Sequence, residues 1–248
     1  MLLGLLFFLV ALFYAGVGFG GGSSYLALLV LWKIPYAVVP VIALICNIVV
    51  VSGNSFHYMR AGYTNWRLLL PLTAASVPLS YIGGRLPIDK ETFVVILFVS
   101  LMAAGLRLLA HHRHYDDDPG AYKKMPLGLA LVMGGGLGFL AGITGIGGGI
   151  FLAPALYHLR AASPKHIAAG ASLFILVNSA AGLLGQLQKD LPAQLILEYW
   201  YLPVMAFVGG QIGNLMVIKW IPGRIVALLT AVLILFVAGQ LGLRIWNG

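Results

Sequence analysis

Glycine-rich phrases occur twice in this 248-residue sequence, and their backbone has the chemistry of an anion site. Residues 15–22 read AGVGFGGG and residues 141–149 read AGITGIGGG. Three consecutive glycines do not form a ridge on one helix face, so we predict that each triplet breaks a helix. The N–H groups that open the next segment then lack helical partners and, with the helix dipole, favour an anion. We predict a paired anion-binding cradle formed by Gly20, Gly21, Gly22, Ser23, Ser24, Thr144, Gly145, Gly147, Gly148 and Gly149.

Polar side chains within apolar runs are further candidates, because they are costly in a membrane and often functional. Asn47 and Asn178 each lie in the middle of such a run, at positions we interpret as counterparts. An amide can donate to an oxyanion without adding a fixed charge. The alternative role is hydrogen bonding between helices, worth about 0.6 kcal/mol on average, and both interpretations stay open. His57, Arg85 and Gln211 are candidates for proton coupling or gating. For His57 and Arg85 the alternative is a position at the membrane interface or the anchoring of a helix end.

Two other kinds of site are disfavoured by the surrounding sequence. Gly16, Gly18 and Gly21 match G-x-G-x-x-G, but the next acidic residue is Asp89, far beyond the place that a dinucleotide requires. A group of histidines and aspartates falls in a polar linker without helical spacing, so we expect a solvated loop and no metal or cofactor. That group is His111, His112, His114 and Asp116, Asp117, Asp118. The single cysteine, Cys46, is expected to be a small buried residue.

The elements that position these residues must lie in lipid. Hydrophobic residues make up 60% of the chain and charged residues 9%, and the mean hydropathy is +0.97. A membrane helix needs roughly 20 apolar residues. Runs with few or no charges cover 1–32, 34–59, 68–84, 92–106, 125–159, 166–188, 199–220 and 225–243. The formal net charge of +8 comes from basic residues standing singly at the ends of these runs, which favours contact with lipid headgroups over nucleic acid.

The chain is organised as two similar halves, residues 1–110 and 126–248, joined by the hydrophilic linker 111–125. Gly20-Gly21-Gly22 recurs in the second half as Gly147-Gly148-Gly149, and each phrase is followed by a proline-containing corner and an asparagine-containing run. Internal repeats of this kind are typical of secondary transporters. We expect an all-α polytopic membrane protein of inverted repeats, with about eight spanning helices plus glycine-broken or re-entrant segments.

The duplicated AG-x-G-x-GGG phrase, the proline after each following segment and the apolar two-half layout resemble the TauE/SafE family of sulfite exporters, over essentially the whole chain. The resemblance implies a bacterial or archaeal inner-membrane carrier for sulfite or organosulfonates, driven by the proton gradient. One departure is that the first phrase lacks the residue that Thr144 or Gly145 supplies in the second. The distantly related thiosulfate importers use functional cysteines, and the lone Cys46 speaks against such a relay here.

These observations predict a secondary carrier that exports a small sulfur oxyanion by alternating access, with protons and membrane lipid as the other partners and no enzymatic activity. No Asp or Glu lies within a spanning run, so no carboxylate is evident as a proton carrier. A passive anion channel remains the main alternative, and a membrane-embedded metal enzyme using the linker histidines is a weaker one. The sequence makes no prediction of the oligomeric state.

Overall fold

The chain folds into apolar helices around two glycine breaks. The computed structural model describes residues 1–16, 18–111 and 122–220, and isolated residues between 228 and 243. The described residues form ten helices and no strand: α1 (Leu2–Ala15), α2 (Gly22–Leu31), α3 (Val39–Arg60), α4 (Trp66–Arg85), α5 (Lys90–His111), α6 (Leu127–Thr144), α7 (Gly149–His158), α8 (Pro164–Gln186), α9 (Ala193–Glu198) and α10 (Tyr201–Trp220). The expected all-α class is confirmed for this part of the chain.

Both glycine phrases break a helix, as predicted. α1 ends at Ala15 and α2 begins at Gly22, whereas α6 ends at Thr144 and α7 begins at Gly149. Glycines between the paired helices have φ values that L-residues with a side chain rarely adopt. They are Gly18 (φ +80°), Gly21 (φ +89°), Gly145 (φ +81°), Gly147 (φ +83°) and Gly148 (φ +77°).

The first break turns the chain back on itself. The rings of Phe7 in α1 and Tyr25 in α2 stack with centroids 4.5 Å apart, and a Cβ on Gly21 would lie 2.9 Å from Val10 Cγ1. These contacts pair the two helices in opposite directions. α1 and α2 have 14 and 10 residues, about 21 and 15 Å at 1.5 Å per residue, and both fall short of the roughly 30 Å hydrocarbon core. In the second half, Gly148 at the start of α7 likewise faces Leu137 and Ala141 of α6.

Three helices among the described residues are long and apolar enough to cross a membrane: Val39–Arg60, Leu127–Thr144 and Lys165–Gln186. Shorter apolar helices, including α1, α2 and α7, accompany them. The number of about eight spanning helices therefore stays a prediction. The closing run at 225–243 falls largely outside the described residues.

α3 and α8 are the equivalent long helices of the two halves. The start of α3 lies beside the end of α8, and the end of α3 lies towards the start of α8. Near the start of α3, Leu44 Cδ1 lies 3.7 Å from the Cβ position of Gly182, which is near the end of α8. Near the end of α3, Asn54 reaches the carbonyl of Ala15, just before Gly18, and Gly18 in turn lies against Ala168 at the start of α8. The two helices are therefore antiparallel.

α4 of the first half and α10 of the second half each pack on the other half. α4 packs on α6 and α8, whereas α10 packs on α1 and α3. Glycines make the close approaches, because a Cβ at these positions would collide with the facing backbone. Gly134, Gly138 and Gly142 of α6 lie against the carbonyls of Leu72, Ser76 and Ser80, and Gly209 and Gly213 of α10 against those of Phe8 and Leu12. These three glycines of α6 therefore serve close helix packing.

Candidate anion-binding site

The two glycine breaks touch each other at Asn47 of α3. The Asn47 Nδ2 donates to the carbonyls of Gly145 and Ile146, at 3.3 and 3.2 Å. From the other side, a Cβ on Gly20 would lie 2.5 Å from Asn47 Oδ1, and one on Gly22 would lie 2.7 Å from the Ile146 oxygen. Asn47 is fully buried, roughly 12 Å along a helix of about 33 Å, so the breaks meet well inside the protein.

Gly147 lies between the two long helices. A Cβ at this position would be 2.8 Å from Ile175 Cγ2, 3.0 Å from Asn47 Nδ2 and 3.0 Å from Ser179 Oγ. Since Asn47 belongs to α3 and the other two residues to α8, the second break is enclosed by both halves. Only a residue without a side chain fits here, and the absence of a Cβ leaves the backbone open to close approach.

Each break is held by a polar side chain from the long helix of the other half. Ser172 Oγ of α8 donates to the Gly18 carbonyl at 2.7 Å, while Asn47 of α3 donates to the Gly145 carbonyl. Gly18 and Gly145 are equivalent positions of the repeat, because their separation in the sequence equals that of the two glycine triplets. Ser172 is one of several polar residues in its apolar run and is not among the predicted site residues, because the sequence does not show which of them contacts the other half.

The prediction that Asn178 is the counterpart of Asn47 is wrong. Gly147 and Gly149, the equivalents of Gly20 and Gly22, face Ile175. Asn178 lies almost one turn further along α8, and its Nδ2 donates to the Phe174 carbonyl of its own helix at 2.8 Å. The repeat spacing explains the difference, since Ile175 follows Asn47 at nearly the same interval as that between the glycine triplets, whereas Asn178 comes about one helical turn too late. Asn178 remains fully buried near the site.

The hydroxyl groups of Ser24 and Thr144 hold the structure around the two breaks together. Ser24 Oγ lies 2.8 Å from Tyr14 OH, which ties α2 to α1. Thr144 Oγ1 donates to the Leu140 carbonyl at 2.7 Å and accepts from the Ile146 N–H at 3.3 Å, so it shapes the second break. Ser24 and Thr144 therefore have structural partners in this conformation.

Side-chain amides also fix the ends of α1 and α6. Asn54 Nδ2 donates to the Ala15 carbonyl at 3.0 Å, and Gln186 Nε2 donates to the Gly142 carbonyl at 3.0 Å. Both carbonyls belong to the last turns of their helices, where intrahelical donors are lacking. The two side chains secure the backbone that leads into each break.

Buried polar atoms without a protein partner concentrate around the breaks. They include Ser23 Oγ, Asn47 Oδ1 and Ser179 Oγ, on residues that are at most 2% exposed. Such atoms nearly always find a partner in folded proteins. Together with the N–H groups that open α2 and α7, they form a polar patch suited to a small hydrogen-bonding ligand.

The remaining candidates lie apart from this patch. His57 and Arg85 are exposed in the last turns of α3 and α4. Gln211 of α10 packs on Gly53, whose Cβ position is 2.5 Å from Gln211 Nε2. Cys46 is a buried free thiol, as expected. Within the described residues no group of three metal ligands occurs, and the cluster at 112–118 falls outside them.

The sequence profile of the family described as "Sulfite exporter TauE/SafE" matches residues 3–241. The chain is also similar to the "Probable membrane transporter protein y4hK" of Sinorhizobium fredii (strain NBRC 101917 / NGR234), with 29% identity over 235 residues and 94% of each chain covered. No solved structure matches. The helical, apolar architecture agrees with a multi-pass membrane protein. The chain belongs to the TauE/SafE sulfite exporter family, a family of membrane transporters.

Proposed function

We propose that the protein is a secondary carrier that exports sulfite or an organosulfonate across the bacterial inner membrane, by alternating access around the two glycine breaks. The observation that carries this proposal is the meeting of the breaks at Asn47, which contacts Gly20 and Gly22 of one break while it donates to Gly145 and Ile146 of the other. A ligand held there would contact both halves at once.

The proposed cradle binds the anion mainly through backbone N–H groups. The first N–H groups of α2 and α7 have no intrahelical acceptor, and the dipole of each short helix adds positive potential at the same point. Gly20 to Ser23 supply this backbone in one break, and Gly147 to Gly149 supply it in the other. Because Asn47 Nδ2 already serves two carbonyls, Asn47 orders the second break, and Ser179 and Ser23 offer hydroxyls to the ligand.

The proposed topology follows from helix direction. If α1–α2 and α6–α7 are re-entrant hairpins, each half consists of one hairpin and three crossings, with 1–110 and 126–248 as the repeats and 111–125 as the linker. An odd number of crossings inverts the second half, and the antiparallel course of α3 and α8 supports that arrangement. Hairpins entering from opposite faces with touching tips suit a site that opens to one side at a time.

The test is sulfite flux in proteoliposomes with Gly147→Ala. The added methyl group would meet Ile175, Asn47 and Ser179 at 2.8–3.0 Å on a residue with φ +83°, so we expect saturable flux to fall at least tenfold. Gly170→Ala is the matched control. Gly170 belongs to the neighbouring helix α8, and nothing lies within 4 Å of its Cβ position. Equal flux in wild type, Gly147→Ala and Gly170→Ala would overturn the cradle.

Flux measurements in the same vesicles distinguish a carrier from a channel. A carrier saturates with sulfite and responds to an imposed pH gradient if protons are coupled, whereas a passive channel follows voltage and does not saturate. Seven acidic residues are present in the whole sequence and none lies within a spanning run, so the proposed coupling has no carboxylate relay to rely on. A pH response that persists in a His57→Gln variant would remove His57 from the proposal.

A further inference from the structure

A cleft of about 220 Å³ opens on the face where α3 begins and α8 ends. Its walls include Tyr36, Pro40, Ile143, Gln186, Lys189 and Asp190. Pro40 also touches the second break, because a Cβ on Gly145 would lie 2.9 Å from Pro40 Cα. Ile143 belongs to the last turn of α6, immediately before the break. The cleft therefore ends against the backbone that forms the proposed cradle.

The half-buried Lys189 lies in this cleft and is held in place by Gln186. Lys189 Nζ donates to Gln186 Oε1 at 2.9 Å, and Gln186, which is 1% exposed, donates to the Gly142 carbonyl. An ammonium group has three donors. One serves Gln186, and the other two can donate to a ligand in the cleft.

The surroundings leave this charge incompletely compensated. Burial lowers the pKa of Lys189 from its usual value, so its ammonium is poorly solvated and gains from a nearby anion. Asp190 is the other charged residue on the cleft wall, and Arg85 and Asp89 flank the lining residues 86–88 in the sequence. Within the described residues Lys189 bonds to the Gln186 amide rather than to a carboxylate. Asp190 offsets part of the charge, which favours weak, reversible binding.

We propose that Lys189 forms an anion-entry site in this cleft, where a small oxyanion binds on its way between solvent and the glycine cradle. The inference rests on the proposed transport function, and it adds a second binding position with its own residue. Lys189 attracts the anion, and the Gln186 side chain links that position to the end of α6.

The test compares two lysines at opposite ends of α8. Lys189→Gln removes the charge in the cleft, and Lys165→Gln removes one in the first turn of the helix, where Lys165 Nζ lies 3.3 Å from Tyr63 OH. Sulfite is offered from each side of oriented proteoliposomes. We expect Lys189→Gln to raise KM about tenfold for entry from the cleft side with little change in kcat, and Lys189→Arg to restore it. Lys165→Gln should leave that KM unchanged.

The cleft side is identified by labelling Gln188→Cys with a membrane-impermeant maleimide, since the native Cys46 is buried. Repeating the series in purely zwitterionic lipid distinguishes a transported anion from a lipid headgroup as the partner of Lys189. An unchanged KM in Lys189→Gln, or a difference that disappears without anionic lipid, would overturn the entry site. Absence of saturable flux in the wild type would instead refute the transport function itself.

Discussion

Asn47→Ala tests whether the contact between the two breaks holds the site together. The change removes the donor that serves the Gly145 and Ile146 carbonyls, and it leaves both oxygens in a fully buried environment. Hydrogen bonds between membrane helices contribute about 0.6 kcal/mol on average and up to about 1.7 kcal/mol. Two such bonds give an expected loss of about 1–3 kcal/mol in the free energy of unfolding.

The assay is reversible unfolding in mixed micelles, followed by sulfite flux from the same preparations. Asn54→Ala removes one interhelical bond, to Ala15, and should cost about half as much. Ser52→Ala removes a bond to Ile48 within α3 from an exposed side chain and should change neither stability nor flux. About 1.4 kcal/mol corresponds to a factor of ten in a population, so if the two bonds stabilise the transport-competent arrangement of the breaks, we expect Asn47→Ala to lower flux per folded molecule about tenfold.

The pattern across the three variants is decisive. If Asn47→Ala unfolds and transports like Ser52→Ala, the bonds to the second break contribute nothing and the proposed meeting point is refuted. If stability falls but flux per folded molecule is retained, Asn47 supports the fold and not the site.

Two further predictions concern packing and the thiol. Gly138→Val should destabilise the protein by several kcal/mol, because its side chain would collide with the Ser76 backbone, whereas Gly136→Val, with open space at its Cβ, should cost less than about 1 kcal/mol by the same unfolding assay. Cys46→Ala should retain sulfite flux, since the thiol is buried and makes no cysteine pair; loss of flux with an unchanged unfolding curve would reinstate a thiol mechanism.

The helix breaks were predictable because their cause is local. A run such as Gly147-Gly148-Gly149 has no side chains to favour the helix, and its left-handed φ values are readily available to glycine. The repeat of the same phrase predicts a two-half organisation on the same local basis, because that prediction depends only on residue type and spacing.

The partners of each break could not be predicted, because they depend on helix orientation. Membrane helices are apolar on every side, so hydrophobic periodicity does not show which face of α8 meets the glycines. The sequence suggested that Asn47 and Asn178 are counterparts, but the repeat spacing contradicts this. Ile175 occupies the place expected for Asn178. Ser172 and Lys189 have roles that exist only once α8 is packed against its neighbours.

The crossed packing of α4 and α10 determines which parts of the protein can move together. The glycines of α6 lie so close to the α4 backbone that sliding between these helices would force main chain against main chain, and α10 is held to α1 in the same way. A rigid body that rocks during transport would therefore combine α4 with α6 and α8, and its opposite body would combine α10 with α1 and α3. The mechanical units would be mosaics of the two repeats, so neither repeat expressed alone would contain a complete moving part.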